Sequence, residues 1–504
     1  MLGKNRLFKT IRFLNKMKRF RTEEKHVSLK YDVNVNDINP VFLQECEEEF
    51  YDDPKNIMSR NAVVALGSML STMDSNRVND INHVFMNTIK KKHLKATNQG
   101  RSGRCWMFSG LNMFRHSVIS ALNLDNFEFS ETYLFFYDKL ERANRYLRWF
   151  INHPDVETED EAFKFMVGEY TGDGGWWNMF ANLVMKYGLV PKSAMKETFQ
   201  SEDSEDMNQI LNTCLQSCAN YIVTHKNLTD EEVEEIRDET MKQIYNTLVK
   251  FLGEPPKTFR WAYTNDDDES TIIAELEPIA FRDMVIPGVN LRDFVVLTHL
   301  PGKLQERKTY EVKYTNNVYE GENFKFLNLP IHELSKYATK SILSGFPVWF
   351  AADVCKDFNP YHSALDDKLT DNEHVFGINH EFSKGDKITF RNLQANHAMS
   401  LVGLNFDPDK KPEAWQVENS WGYWDNETPG EDGFLYMSNS WFEKNVMQVV
   451  VHKNYLTRSV RKLLNKEPEQ LDPWDCVAPA LKARVVDAPR IVERIRKFKK
   501  LRSM

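Results

Sequence analysis

The stretch that decides the fold reads Asn98-Gln99-Gly100-Arg101-Ser102-Gly103-Arg104-Cys105-Trp106, and a long apolar-periodic segment follows it. Apolar residues recur at positions 108, 111, 114, 118, 119 and 122, which predicts a buried helix from Trp106 to Leu122 with Cys105 in its first turn. The unpaired N–H groups and the dipole at a helix N-terminus favour an anion. Cys105 therefore stands where the pKa of a thiol can be lowered and the thiol activated as a nucleophile.

Two downstream stretches supply the other groups that a thiol nucleophile needs: Asn396-His397-Ala398-Met399 and Glu418-Asn419-Ser420-Trp421-Gly422. His397 can take the thiol proton, Asn419 can orient the imidazole, and Trp421 would shield that hydrogen bond from water. Gln99 can bring a side-chain N–H to an oxyanion, alongside the Cys105 backbone N–H. The pattern predicts an acyl-enzyme formed through Cys105 and hydrolysed by a water that His397 activates.

The order Gln, Cys, His, Asn resembles that of papain-like cysteine peptidases, and further stretches make the chain similar to the bleomycin hydrolase family. These stretches are Phe127-Glu128-Phe129-Ser130, Tyr133-Leu134-Phe135-Phe136, Asp173-Gly174-Gly175 with Trp177, Val417 to Gly422, Glu467-Pro468 and Pro473-Trp474-Asp475. The resemblance covers about residues 38 to 481. It implies an α+β fold of the papain-like two-lobe type, with a helical lobe, a β-barrel-like lobe and a large insertion between the catalytic Cys and His.

The resemblance also implies a function. Similar proteins are cysteine aminopeptidases that act on peptide substrates with a free N-terminus and assemble as homohexamers. No cofactor and no metal are expected for this chain. It implies Cys105, His397 and Asn419 as catalytic residues, with Gln99 in the oxyanion hole. In such proteins the C-terminal tail lies in the cleft, and its carboxylate meets the amine of the substrate.

The chain is predicted to contain six segments. They are a basic extension (1–22), an N-terminal region and helical lobe with the nucleophile (23–190), a largely helical insertion assigned to oligomerisation (191–385), a β-rich lobe with His397 and Asn419 (386–455), a tail directed toward the active site (456–482) and a second basic extension (483–504). Helices are expected at 129–147, 178–187 and over most of 203–252, and residues 295–350 should mix strands with short helices. Strands are expected at Lys387–Phe390, His397–Asn405, Ala414–Glu418, Gly433–Met437 and Gln448–His452.

A glycine-rich loop at residues 171–177 is the predicted substrate-binding segment, through Asp173, Gly174 and Gly175, with Trp421 nearby. The two glycines would let substrate backbone come close, and a plain turn is the alternative. No Lys-Ser or Lys-Thr follows them, so the loop is not a phosphate-binding P-loop. Cys214 and Cys218 share a helix face without a histidine-rich partner pattern, and buried thiols are the favoured interpretation over a metal site.

Charge and cysteine use bear on the compartment and on partners. The six cysteines suggest no disulfide framework, and Ser102 stands where secreted papain relatives carry a disulfide-forming Cys, so a cytoplasmic protein is expected. No apolar run is long enough to span a membrane. Residues 1–22 carry eight Lys or Arg and no acid, which allows a mitochondrial presequence, a polyanion-binding arm or a solvated extension.

The chain departs from the family pattern at its C-terminus, because a basic segment from Ala483 to Met504 follows the expected end near Leu481. Trimming, rerouting out of the cleft, and loss of the preference for free N-termini are the three alternatives. The first rival function is therefore a cysteine endopeptidase. The second is a hexamer that binds nucleic acid through its basic ends with secondary peptidase activity, which the acidic body of the chain speaks against.

Overall fold

The computed structural model describes residues 37–168, 172–354, 356–378, 382–422 and 431–475. The predictions made for residues 1–22, for the tail beyond residue 475 and for 483–504 lie outside the described residues. The chain divides into two compact units, Met1–Ser71 and Thr72–Met504. None of the helices in the described ranges is long and apolar enough to cross a membrane.

The described part of the first unit is helical. It comprises α1 (Pro40–Asp52), α2 (Pro54–Leu66) and α3 (Ser68–Ser71). The side chains of Asn39 and Asp53 cap the first two helices, and each helix has proline at its first position, where the missing N–H costs nothing. Neither α1 nor α2 buries a residue.

The second unit combines many helices with a large sheet. Its helices are α4 (Ser75–Asp80), α5 (Cys105–Ala121), α6 (Glu131–Asn152), α7 (Glu161–Gly168), α8 (Trp177–Tyr187), α9 (Phe199–Glu202), α10 (Glu205–Thr224), α11 (Asp230–Leu252), α12 (Pro278–Val285), α13 (Ile331–Leu343), α14 (Asn372–Phe376), α15 (Lys384–Thr389), α16 (Asn439–Asn445) and α17 (Arg458–Arg461). Short 3-10 turns lie at Leu291–Asp293, Glu431–Gly433, Lys453–Tyr455 and Lys462–Asn465. The mixed α and β architecture agrees with the predicted α+β class.

Fourteen strands occur in the described residues of this unit. They are β1 (Asn87–Thr88), β2 (Phe259–Thr264), β3 (Ser270–Leu276), β4 (Phe294–Thr298), β5 (Lys308–Val312), β6 (Phe324–Asn328), β7 (Val348–Ala352), β8 (Phe358–Asn359), β9 (Ala364–Leu365), β10 (His397–Phe406), β11 (Pro412–Glu418), β12 (Phe434–Ser438), β13 (Val446–His452) and β14 (Glu469–Leu471). Twelve form one sheet in the order β14-β5-β6-β4-β13-β7-β10-β11-β12-β9-β8, with β1 paired to β10, while β2 and β3 form a separate hairpin.

Helix α5 packs against strand β10, and this contact positions the site. Every residue of α5 from Cys105 to His116 is buried, so the helix is surrounded by protein over this length. Strand β10 pairs antiparallel with β7 and β11, so it lies inside the sheet, and its first residue, His397, is paired with Ala352 of β7. The predicted helix at Trp106–Leu122 is therefore confirmed within one residue at each end.

Two sequence predictions need correction. The strand expected at Lys387–Phe390 is wrong, because this segment belongs to helix α15; Ser383 caps that helix by accepting the Asp386 N–H, a local bond that competes with strand pairing. The segment 191–385 is not largely helical throughout. Helices α10 and α11 occupy its first part as expected, but buried apolar runs such as β4 and β7 join the large sheet beside strands from beyond residue 385.

Candidate active site

Cys105 is the first residue of α5 and has no exposed surface. Backbone N–H groups of Cys105, Trp106 and Ala398 interact with its sulfur in the sense that stabilises a thiolate. The contact with Ala398 places the thiol beside the beginning of β10, which starts one residue earlier at His397. The structure therefore brings the predicted nucleophile and the predicted base to the same point, where a helix start meets a strand start.

His397 is held between two groups of the Asn-Ser-Trp stretch. Its Nε2 lies 2.8 Å from Asn419 Oδ1, and its ring stacks on Trp421 at 4.7 Å between centroids with 25° between the planes. Among the described residues, no group hydrogen-bonds the other ring nitrogen, Nδ1. This arrangement makes Nε2 the donor to the amide oxygen and leaves Nδ1 as the nitrogen able to accept a proton.

Burial dominates the protonation of this pair. It raises the pKa of the Cys105 thiol to about 12, although the Ala398, Trp106 and Cys105 N–H groups lower it. It lowers the pKa of His397 to about 4, although the hydrogen bond to Asn419 raises it. The N–H groups at the start of α5 lower the thiol pKa, as the sequence predicted, but the loss of solvation on burial outweighs them.

Gln99 is completely buried, and its side-chain amide is fixed at both ends. Its Oε1 accepts a hydrogen bond from Ser420 Oγ at 2.6 Å, and its Nε2 donates to the Ser102 carbonyl at 2.7 Å. Nε2 carries a second hydrogen, which is available to a bound oxyanion. Ser420 was not singled out from the sequence, although its place between Asn419 and Trp421 was a usable signal.

Asp173 lies close to the loop before the nucleophile, and protein groups engage both of its oxygens. The donors are Gly103 N (2.9 Å), Lys139 Nζ (2.5 Å), Ser204 Oγ (2.5 Å) and Asn208 Nδ2 (2.7 Å). Burial alone would raise the pKa of Asp173, but Lys139 and the other donors hold it well below its usual range. These contacts favour a supporting role for Asp173 over the predicted direct contact with substrate.

Gly174 and Gly175 pack against protein groups as well. The Gly174 carbonyl accepts a hydrogen bond from Arg142 Nη2 at 2.9 Å. A Cβ on Gly175 would lie 2.6 Å from the Trp106 indole, closer than real atoms approach. The lack of a side chain at Gly175 is therefore required by the first turn of α5, and a contact of either glycine with substrate stays a prediction.

Arg104 is a buried residue whose role the sequence did not reveal. Its Nε donates to Ser102 Oγ at 2.7 Å and its Nη2 pairs with Glu197 at 2.8 Å. The guanidinium also stands 5.0 Å from the centroids of the Phe108 and Phe135 rings. Arg104 therefore ties the loop before Cys105 to both a carboxylate and two aromatic side chains.

Comparison with known proteins agrees with this geometry. Residues 37–478 match the sequence model of the Peptidase C1-like family. The chain therefore belongs to the Peptidase C1-like family of cysteine peptidases.

Particular relatives narrow the comparison. The chain is 33% identical to aminopeptidase C of Listeria monocytogenes over 435 residues, covering 86% of this chain and 96% of that protein. It is 34% identical to bleomycin hydrolase of Homo sapiens over 432 residues, covering 84% and 94%. The crystal structure of PepW from Lactobacillus rhamnosis HN001 superposes with a TM-score of 0.83 at 29% identity, covering 87% of this chain and 98% of that one.

Proposed function

We propose that the protein is a cysteine aminopeptidase of the bleomycin hydrolase type, with Cys105 as nucleophile and His397 as general base and acid. The observation that carries the proposal is the buried hydrogen bond between His397 Nε2 and Asn419 Oδ1, at 2.8 Å. It leaves Nδ1 of the same ring as the nitrogen that can accept the proton of the thiol. The family relatives named aminopeptidase C and bleomycin hydrolase support the same activity.

The first half of the reaction forms the acyl-enzyme. The Cys105 sulfur bonds to the carbonyl carbon of the scissile amide while its proton passes to His397 Nδ1. The carbonyl oxygen becomes an oxyanion that the Cys105 N–H and the second Gln99 Nε2 hydrogen can stabilise. The C–N bond then breaks, and the leaving amine takes the proton from His397.

The second half restores the thiol. A water gives its proton to His397 as its oxygen adds to the thioester carbon, and the C–S bond breaks as the sulfur recovers a proton.

Proton transfer from sulfur to imidazole creates two opposite charges side by side, whose attraction offsets part of the cost of ionising a buried thiol. Asn419 contributes because its oxygen favours the imidazolium that forms.

Substrate preference is tested with a matched pair of peptides. We expect hydrolysis of a free-amine aminoacyl fluorogenic amide, at least about 10-fold slower turnover of its N-acetylated counterpart, and loss of both activities in Cys105→Ser. Peptidase activity that survives Cys105→Ser would contradict the mechanism. Equal cleavage of the acetylated substrate would instead identify the endopeptidase alternative.

We propose a homohexamer, because the chain matches almost the whole length of aminopeptidase C and bleomycin hydrolase and the family resemblance implies that assembly. A reducing compartment is proposed because Ser102, in place of a disulfide-forming Cys, donates its hydroxyl to the Gln99 carbonyl at 2.6 Å. A mitochondrial form and nucleic-acid contact both depend on basic ends that lie outside the described residues.

A further inference from the structure

Helix α5 carries a line of buried polar side chains that leads away from the nucleophile. Cys105, Ser109, Asn112 and His116 follow one another at intervals of four, three and four residues, which places them on one face of the helix. None of them is more than 4% exposed. Buried polar groups need partners, and the partners of the last three lie in segments that carry the other site residues.

The first two connections join α5 to the His-bearing strand and to the segment before the oxyanion residue. Ser109 Oγ donates to the Met399 carbonyl at 2.7 Å, and Ser400 Oγ donates to the Ser109 carbonyl at 3.0 Å. Asn112 Nδ2 donates to Thr97 Oγ1 at 2.9 Å. Strand β10 and the start of the nucleophile loop are therefore fixed to the same helix.

The third connection involves a buried carboxylate, Glu418. This residue ends β11, is 1% exposed, and lies opposite Ser400 in the strand register. Its Oε2 lies 2.6 Å from His116 Nε2, and its Oε1 forms an ion pair with Arg115. Burial alone would raise the pKa of Glu418, but Arg115 and His116 hold it below its usual value, so the group is ionised.

We infer that Glu418 is a positioning residue: through its ion pair with Arg115 and its contact with His116, both on α5, it holds the neighbouring Asn419 in place to orient His397. Glu418 is joined to Asn419 by one peptide bond, and His116 lies eleven residues, or about 16 Å, along the helix from Cys105. The same helix thus carries the nucleophile, Cys105, and the residues that hold Glu418 next to Asn419. The inference rests on the proposed function.

Enzyme kinetics can distinguish this positioning role from a role in fold stability alone. A carboxylate that only stabilised the fold would, when changed, reduce the amount of folded enzyme and leave the kinetics of the folded fraction alone. A carboxylate that positions Asn419 would, when changed, lower kcat while KM stays nearly constant, because misplacing a group by about 1 Å costs the reaction far more than it costs substrate binding.

The test is steady-state hydrolysis of the free-amine substrate by Glu418→Gln, normalised to folded protein by circular dichroism. Glutamine keeps the shape of the side chain but cannot form the ion pair. We expect kcat to fall by about 10-fold or more, with KM within about 2-fold of wild type. Glu418→Asp, which keeps the charge, should recover part of the lost kcat.

Asp366→Asn is the matched control, because Asp366 is also fully buried and paired with an arginine, Arg77, at 2.5 Å. It should lower the melting temperature without changing kcat per folded enzyme. Equal kcat losses in Glu418→Gln and Asp366→Asn, or an unchanged kcat in Glu418→Gln, would overturn the inference.

A second variant, His116→Leu, keeps the inference testable if Glu418→Gln does not fold. His116→Leu removes one of the two bonds to Glu418 and keeps the Arg115 pair, so we expect a smaller fall in kcat at constant KM. An unchanged kcat in His116→Leu would also count against the inference. The proposed function fails separately, if wild-type hydrolysis does not depend on Cys105.

Discussion

At the scale of single residues, the environment of His397 controls how the protein responds to acid. Burial lowers the pKa of His397 from 6.5 to about 4. An unfolded chain restores the ordinary value, so between these two pKa values the unfolded state binds more protons than the folded state. The contribution of the buried neutral imidazole is therefore fully present above about pH 6.5 and is lost as the pH falls toward about 4.

His397→Gln should remove this part of the acid sensitivity. Between about pH 7 and about pH 5, we expect the free energy of unfolding of the wild type to fall by about 2 kcal/mol more than that of the variant. Denaturant titrations at the two pH values measure the difference. A parallel decline in both proteins would contradict the assignment.

His299→Gln is a useful companion variant. Burial, together with Lys384, lowers the pKa of His299 to about 4 as well. The His299→Gln variant should therefore show a similar reduction in acid sensitivity. It should retain peptidase activity, since His299 lies outside the proposed site. The pair of variants separates the protonation effect from the loss of the general base.

At the scale of elements, the first turn of α5 depends on the loop at residues 172–176. Trp106 Nε1 donates to the Asp173 carbonyl at 2.7 Å, and the indole lies over Gly175, where no Cβ fits. The Trp349 indole N–H donates in turn to the Trp106 carbonyl at 3.0 Å. The helix start that carries the nucleophile is thus held by the loop and by β7.

Gly175→Ala should disturb this start. The added methyl would overlap the Trp106 indole, so we expect a loss of about 1–3 kcal/mol in the free energy of unfolding together with reduced kcat/KM. Gly172→Ala is the control, because nothing lies within 4 Å of the corresponding position in the same loop. If both variants behave alike in unfolding and in hydrolysis, the packing argument is wrong.

Whether a structural feature could be predicted from the sequence depended on how local its interactions are. The helix at Cys105 and the strands β10 and β11 follow from apolar periodicity, which needs only neighbouring residues. Helix α15 was missed because a serine cap overrode a short apolar pattern. The bonds of Arg104 to Glu197 and of His116 to Glu418 were missed for another reason: they join residues 93 and 302 positions apart, and no local pattern records such a pairing.

At the scale of the whole molecule, the first unit presents apolar side chains to solvent. Those on α1 and α2 that are more than half exposed are Val41, Phe42, Leu43, Met58, Val64 and Leu66. Large exposed apolar patches mark surfaces that associate with other chains, and we propose that these side chains belong to such a surface. They support the proposed homohexamer, in which such a surface would be covered.

Native mass spectrometry of the full chain should give a species near six times 59.1 kDa. A Val64→Glu substitution should shift the population toward smaller species, because it puts a charge on the apolar surface of α2. Ile272→Glu, at a residue 59% exposed in the β2–β3 hairpin, is the control and should leave the assembly intact. A monomeric wild type would contradict the proposal, and the denatured mass would show whether both basic ends persist.

The burial of Cys105 has a consequence for oxidative damage. Peroxides attack thiolates that they can reach, whereas this sulfur has no exposed surface and a pKa raised to about 12. The resting enzyme should therefore keep its nucleophile reduced while the exposed Cys46 reacts first. During turnover the site must open and the proton must leave, so substrate would sensitise the enzyme to inactivation by peroxide instead of protecting it.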